Sequence, residues 1–185
     1  TYINSVYIDG VRVINPLGYK GQEIVYRVFS TFAPKIYLNT ISQLASNLHI
    51  NTSKIIVEPY ALSLGLKNAR NQDSSSIIID IGGGTTDVAL IKNGDIIGTK
   101  MFAMGGRVFT KRIQKELGLS YEESEEKKIK YSNSELTEVE RKNLRGFLQK
   151  DVKVWLSGVE IALEDFEDVE EFPSEIFLCG GGALL

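Results

Sequence analysis

The residues with the most chemistry for their length lie at 77–87, which read IIIDIGGGTTD. Ile77, Ile78 and Ile79 form a short β-branched run of the kind that makes a buried strand. Asp80 ends the β-branched run, and Gly82, Gly83 and Gly84 then let the chain reverse sharply with its amides exposed. Thr85 and Thr86 add two hydroxyls before Asp87 opens a second apolar run at 88–91. Successive N–H groups in such a bend form an anion-binding concavity. A carboxylate beside it can hold a hydrated divalent cation. A P-loop would need GxxxxGK[ST] and a following helix, and a GxGxxG dinucleotide loop also opens a helix. This stretch does neither, because its glycines join strand to strand. The plainer alternative is a tight turn needing glycine only for its backbone angle; two aspartates and two threonines around the glycines weigh against it.

The elements that must position this bend follow from pattern. The run at 88–91 closes on Asn93-Gly94, the strongest two-residue hairpin signal, and 95–103 reads as a third strand. Upstream, 6–8 and 11–14 are strand-like runs around the turn dipeptide Asp9-Gly10. A longer strand is expected at 22–33, then a helix at 35–48 with apolar residues at helical spacing. Residues 54–57 read as a strand and Glu58-Pro59-Tyr60-Ala61 as the start of a helix through 66, with proline in its first turn. A glutamate there also suits the positive end of the helix dipole. The polar stretch 68–76 reads as a surface connection between two lobes. Further on, a helix is expected at 108–117, ended by Gly118, and another at 121–131 behind a capping box at Ser120–Glu123. A second capping box at 132–135 is expected to open a long helical stretch towards Phe166, with Trp155 in the core. A last strand at 175–179 leads into Gly180, Gly181 and Gly182.

Composition limits the classes. At 185 residues, 43% hydrophobic and 24% charged, the chain can bury a core and is not a disordered type. A net charge of −3 gives no sign of a nucleic-acid surface. The single cysteine, Cys179, excludes an internal disulfide framework and suits a reducing compartment. No apolar run approaches the roughly 20 residues of a membrane span, and no signal peptide is visible. The lone histidine, His49, follows a helix end and is better suited to a favourable C-terminal cation or a surface residue than to a metal ligand. The opening residues and the terminal GGGALL suggest part of a longer protein.

DIGGGTTD resembles the second phosphate motif of the actin-like ATPase superfamily. NPLGYKG followed by a strand and a helix resembles the inserted subdomain of the FtsA family of bacterial cell division proteins. The resemblance implies an α/β fold: the actin-like ATPase (ribonuclease-H-like) fold, in part, with a small α+β inserted subdomain at the N-terminal end. It implies residues 1–52 as part of that insertion, 53–72 as the end of a first lobe, and 73–185 as a second lobe with a helical insertion at about 114–172. The segment at 58–61 resembles the family's Glu-Pro-x-Ala, where the glutamate orients or deprotonates the attacking water; Glu58 would take that role with Asp80 as the second catalytic and metal-facing carboxylate. Gly82, Gly83, Gly84, Thr85, Thr86 and Asp87 would hold phosphate, and Gly106 would let a helix start beside it. SEEKKIKYS resembles the adenosine-gripping AExxKxxY segment, which would put Glu125 on the ribose and Lys128 on the adenosine. Both lie on one helical face, so a solvated ion pair of roughly 0.2–0.5 kcal/mol remains the alternative. FLCGGGALL resembles the adenosine motif, bringing Gly180, Gly181 and Gly182 against the base and α-phosphate.

The resemblance implies ATP and Mg²⁺ as cofactors and an actin-like polymer of the chain with itself. It also implies FtsZ and other division proteins as partners, and a cytoplasmic location at the inner face of the membrane, reached only through a segment not in this sequence. The first phosphate motif of the family is missing, so weak ATP binding and little turnover are expected of these residues, against a weak ATPase in the whole protein. Two alternatives stay open: a PilM-like pilus scaffold, and an enzyme of the same fold such as a sugar kinase or exopolyphosphatase. A chaperone would need a substrate domain that is not in view.

Overall fold

A computed structural model describes residues 1–69, 74–167 and 169–185. Its centre is a four-stranded sheet in the order β6-β5-β4-β7. Strands β4 (Ser76–Ile81), β5 (Thr86–Lys92) and β6 (Asp95–Phe102) form an antiparallel meander, and β7 (Ile176–Cys179) joins β4 in parallel. The turn between β5 and β6 has left-handed Asn93 (φ 52°) and Gly94 (φ 75°), the backbone that Asn-Gly favours.

Side chains on β4 alternate between two faces, and both are covered. Ile77, Ile79 and Ile81 pack with Val88 and Leu90 against Val159, Ala162 and Phe166 of α5 (Glu138–Glu164) and the turn after it. Ile78 packs on the opposite face with Ala89, Ile91, Ile96 and Phe29, where Tyr60, Leu62 and Leu66 of α2 (Glu58–Ala69) join them. A strand buried on both faces needs an unbroken apolar run, so the three isoleucines precede Asp80. Asp80 shares the face of Ile78 and therefore meets α2. A third cluster, Phe109, Ile113, Leu144 and Leu148, joins α3 (Gly106–Leu117) to α5, and α4 (Tyr121–Ser132) closes over it through Tyr131. Arg112 fastens α3 to α5 through a two-pronged pair with Asp151 at 2.7 and 2.8 Å.

The N-terminal sheet has the order β2-β1-β3, with β1 (Tyr2–Ile8), β2 (Val11–Val13) and β3 (Ile24–Phe29) all antiparallel. It is tied to β6 by polar contacts. Ser5 donates to Asp95 at 2.6 Å, Arg12 pairs with Asp95 at 3.0 Å, and the Asn4 amide donates to the Ile96 carbonyl at 2.8 Å. Helix α1 (Lys35–Asn47) buries none of its residues.

Several sequence expectations are corrected. Residues 54–57 form no strand: Ile55 and Ile56 are about half exposed, and the Ile55 carbonyl accepts from the Tyr2 hydroxyl instead of a ladder partner. The strand expected over 22–33 is confined to Ile24–Phe29. The capping box expected at 132–135 lies further on. Ser132 is still helical and donates to the Lys128 carbonyl, and Ser134 is left-handed (φ 61°) as α4 ends. Thr137 and Glu140 then form the reciprocal cap that starts α5. The polar connection expected at 68–76 falls largely on 70–73, outside the described residues.

Candidate functional site

The glycine bend is closed at its base by the Gly82 N–H donating to the Thr85 carbonyl at 2.9 Å. Its outer carbonyls serve the start of α3: Gly106 N–H donates to Gly82 O and Arg107 N–H to Gly83 O, both at 2.8 Å. Two of the amides that a helix N-terminus leaves without partners are thus satisfied by the loop itself. The contact is close. A β-carbon on Gly105 would lie 2.5 Å from the Gly82 carbonyl oxygen and 3.0 Å from the Thr85 nitrogen, which explains a glycine immediately before the helix.

Asp80 and Asp87 are directly paired across β4 and β5, hence on one face, and the N-terminal end of α2 brings Glu58 to them. Like charges set opposite one another repel. Asp80, by charge and by hydrogen bond, raises the Glu58 carboxyl above the ordinary glutamate value, with burial and Asp87 adding to it. Burial and then Asp80 raise Asp87, against a lowering hydrogen bond from Thr85. Cys179, in register with Asp80 on β7, has its thiol pushed up to about 11 by burial and by Asp80 and Glu58. The donor set is hard oxygen at a point of unfavourable negative charge, which suits a magnesium ion held by one or two carboxylates and otherwise by water and phosphate. Among the described residues no three His, Cys, Asp or Glu side chains form a metal-ligand group, so an all-protein cage is not what the geometry offers.

On the other side, a cleft of about 290 Å³ is lined by Gly82, Gly83, Gly106, Glu125, Lys128, Gly181 and Gly182, with Ile129, Ser132, Asn133 and Leu184 completing it. Glu125 and Lys128 pair at 2.8 Å, and Lys128 also donates to the Thr110 hydroxyl at 2.9 Å and the Gly106 carbonyl at 3.3 Å. Burial opposes ionisation of Glu125, but hydrogen bonds from Lys128 and Thr110 outweigh it and hold the carboxyl below its usual range. This pair is therefore more than a loose surface contact: it is anchored to the start of α3. Gly180 is left-handed (φ 79°), and a β-carbon there would collide with the Asp80 carboxylate and the Ile81 carbonyl. One on Gly182 would collide with Ile81. The last glycines thus lie directly on the strand that carries Asp80. A larger hollow of about 560 Å³ opens beside the cleft and shares Ser132 and Leu184 with it, but is lined by Phe109, Tyr131 and Arg145 rather than by the glycines.

Thr86 requires a correction. It is fully buried, donates to the Met104 carbonyl at 2.7 Å and accepts from the Trp155 indole at 2.9 Å, so its hydroxyl is part of the core and is not available to a ligand. Thr85, half-buried beside Asp87, is the threonine left at the bend. Sequence reasoning missed Thr110, the hydroxyl between Glu125 and Lys128, and Arg107, whose guanidinium borders Gly83 and Gly84. The signal for Arg107 was a cation directly after the helix-starting glycines.

A meander extended by a parallel strand, with a glycine bend, facing carboxylates and a second glycine turn, is the actin-like ATPase architecture. Solved structures agree on the fold. The chain superposes on a PilM-PilN type IV pilus biogenesis complex with a TM-score of 0.65 at 19% identity, covering 79% of this chain and 41% of that one. It superposes on MreB 5 of Spiroplasma citri bound to AMPPNP with 0.61 at 22%, covering 83% and 55%. Within this class, residues 77–164 match the family model "Cell division protein FtsA". FtsA of Neisseria meningitidis is 30% identical over 122 residues, 66% of this chain and 29% of that protein. FtsA of Streptococcus pneumoniae is 25% identical over 205 residues, 100% of this chain and 45% of that protein. The chain thus spans less than half the length of either relative.

Proposed function

We propose that these residues form an adenine-nucleotide site of a bacterial division protein that assembles into an actin-like polymer and ties an FtsZ ring to the membrane from the cytoplasmic side. The observation that carries the nucleotide reading is the convergence of the glycine bend, the Glu125–Lys128 pair and Gly181–Gly182 on one cleft, with Asp80 directly beneath Gly180. In this reading Glu125 and Lys128 hold the nucleoside and Gly181 and Gly182 admit the base and α-phosphate. The amides of Gly83, Gly84 and Thr85 receive the following phosphates. Asp80 would hold Mg²⁺, which would supply neutralisation of the phosphate charge. Glu58 orients the attacking water, since phosphoryl transfer asks the protein mainly for positioning and charge.

The test is binding of ATP and ADP, with and without Mg²⁺, by calorimetry on the full natural chain and on Lys128→Ala. Loss of about tenfold or more in affinity for both nucleotides in the variant supports the reading. Absence of nucleotide binding in the parent chain sinks it. The fold similarity to the pilus complex favours a second reading, a pilus-assembly scaffold. Co-purification with a pilus-assembly partner instead of a division protein would decide for it.

A further inference from the structure

The glycine bend is bordered by acidic groups on more than one side. Glu58, Asp80 and Asp87 gather where β4 and β5 enter it, and Glu125 lies across the cleft. Of the cations near the loop glycines, Lys128 is held at the nucleoside end of the cleft by Glu125, Thr110 and the Gly106 carbonyl. Arg107 is placed differently. Its backbone is pinned to the Gly83 carbonyl at 2.8 Å, and its guanidinium lies along the bend. A β-carbon on Gly84 would lie 3.4 Å from Nη1, and one on Gly83 3.7 Å from Nε. The side chain is solvent-exposed; its charge helps to lower the Glu125 carboxyl, but among the described residues no carboxylate lies within ion-pair distance of it. The loop itself contains no lysine or arginine to meet the charge of a phosphate chain.

We infer that Arg107 is a phosphate-binding residue that meets the terminal phosphate of a nucleoside triphosphate through its guanidinium. The assignment rests on the nucleotide reading of the cleft. Direction along the bend supports it: Gly82 and Gly83 line the nucleoside cleft, whereas Gly84 does not. The guanidinium reaches Gly84, so it serves the end of the phosphate chain away from the nucleoside. A planar fork of N–H donors suits phosphate oxygens, and a permanently charged one stays effective in an acidic setting. Because the side chain is exposed, its removal leaves the core intact.

The experiment compares ATP and ADP, each with Mg²⁺, by calorimetry on the full natural chain, on Arg107→Ala and on Arg107→Lys. The expected result is a loss of about tenfold or more in ATP affinity for Arg107→Ala, under about threefold for ADP, and partial recovery by lysine. Unchanged ATP affinity in Arg107→Ala, with the parent still binding both nucleotides, overturns the assignment and leaves the site reading intact. An equal loss for ATP and ADP overturns it too, because it means a structural or general electrostatic role. If the parent binds neither nucleotide, both readings fall together.

Discussion

Glu58 carries a proton at pH values where an isolated glutamate would have lost it, because Asp80 lies against it. The folded value is above the ordinary one, so stability is fully present below the ordinary glutamate range and declines as pH rises through the folded value. Glu58→Gln should therefore melt higher than the parent at neutral pH without nucleotide, and the gap should close as pH falls below the ordinary range. Calorimetric melts across pH 3–8 check this. On the proposal that Glu58 orients the attacking water, the same substitution in the full natural protein should lower hydrolysis on the order of 100-fold while keeping nucleotide affinity, read by phosphate release beside a binding isotherm. The sharp bend after Asp80 was legible in the sequence, because a run of glycines behind a β-branched strand turns back on itself. Thr86 was not: its hydroxyl is claimed by Trp155, 69 residues away, and only the packing of α5 on the sheet reveals that.

Helices α4 and α5 meet through a short connection whose stops and starts are side-chain devices. Thr137 accepts from the Glu140 amide, Glu140 returns the bond to the Thr137 amide, and Lys127 of α4 pairs with Glu140 at 2.9 Å. Lys127 first, then Thr137, holds the Glu140 carboxyl down to about 2. Thr137→Ala should cost about 1 kcal/mol in urea unfolding at pH 7. A depressed carboxylate contributes above its ordinary value and loses that contribution as pH falls towards the folded one, so the difference between parent and variant should narrow at pH 3. The existence and type of these helices follow from apolar spacing. The exact start of α5 did not, because 132–135 and 137–140 both offer a hydroxyl followed three residues later by a glutamate. The backbone chose the second, having turned left-handed at Ser134. Residues 54–57 show the opposite failure: β-branched composition without a neighbouring edge to pair with makes no strand.

At the scale of the whole molecule, two sheets are joined in part through one buried carboxylate, beside the Asn4 amide and the packing of Phe29. Asp95 takes Ser5 and Arg12 from the N-terminal sheet while itself only 4% exposed. Asp95→Ala should destabilise the fold by about 2–3 kcal/mol, as hydrogen bonds to a buried charge are lost. Hydrogen exchange should show β1–β3 opening more often than β4 and β5. That junction was not legible, since its partners are 90 residues apart with no shared motif. The central sheet poses a different problem of timing. Strand β7 docks beside β4 across the whole helical region, and Cys179 meets Ile79 a hundred residues upstream. The meander can emerge from a ribosome and pair at once, but Gly180 reaches Asp80 only after the helices α3–α5 between them have been translated. Until then the growing polypeptide exposes one flank of its central strand, so a nascent chain stalled ahead of β7 should be prone to edge-on self-association, and the cleft lined by Gly181 and Gly182 should form only once β7 has emerged.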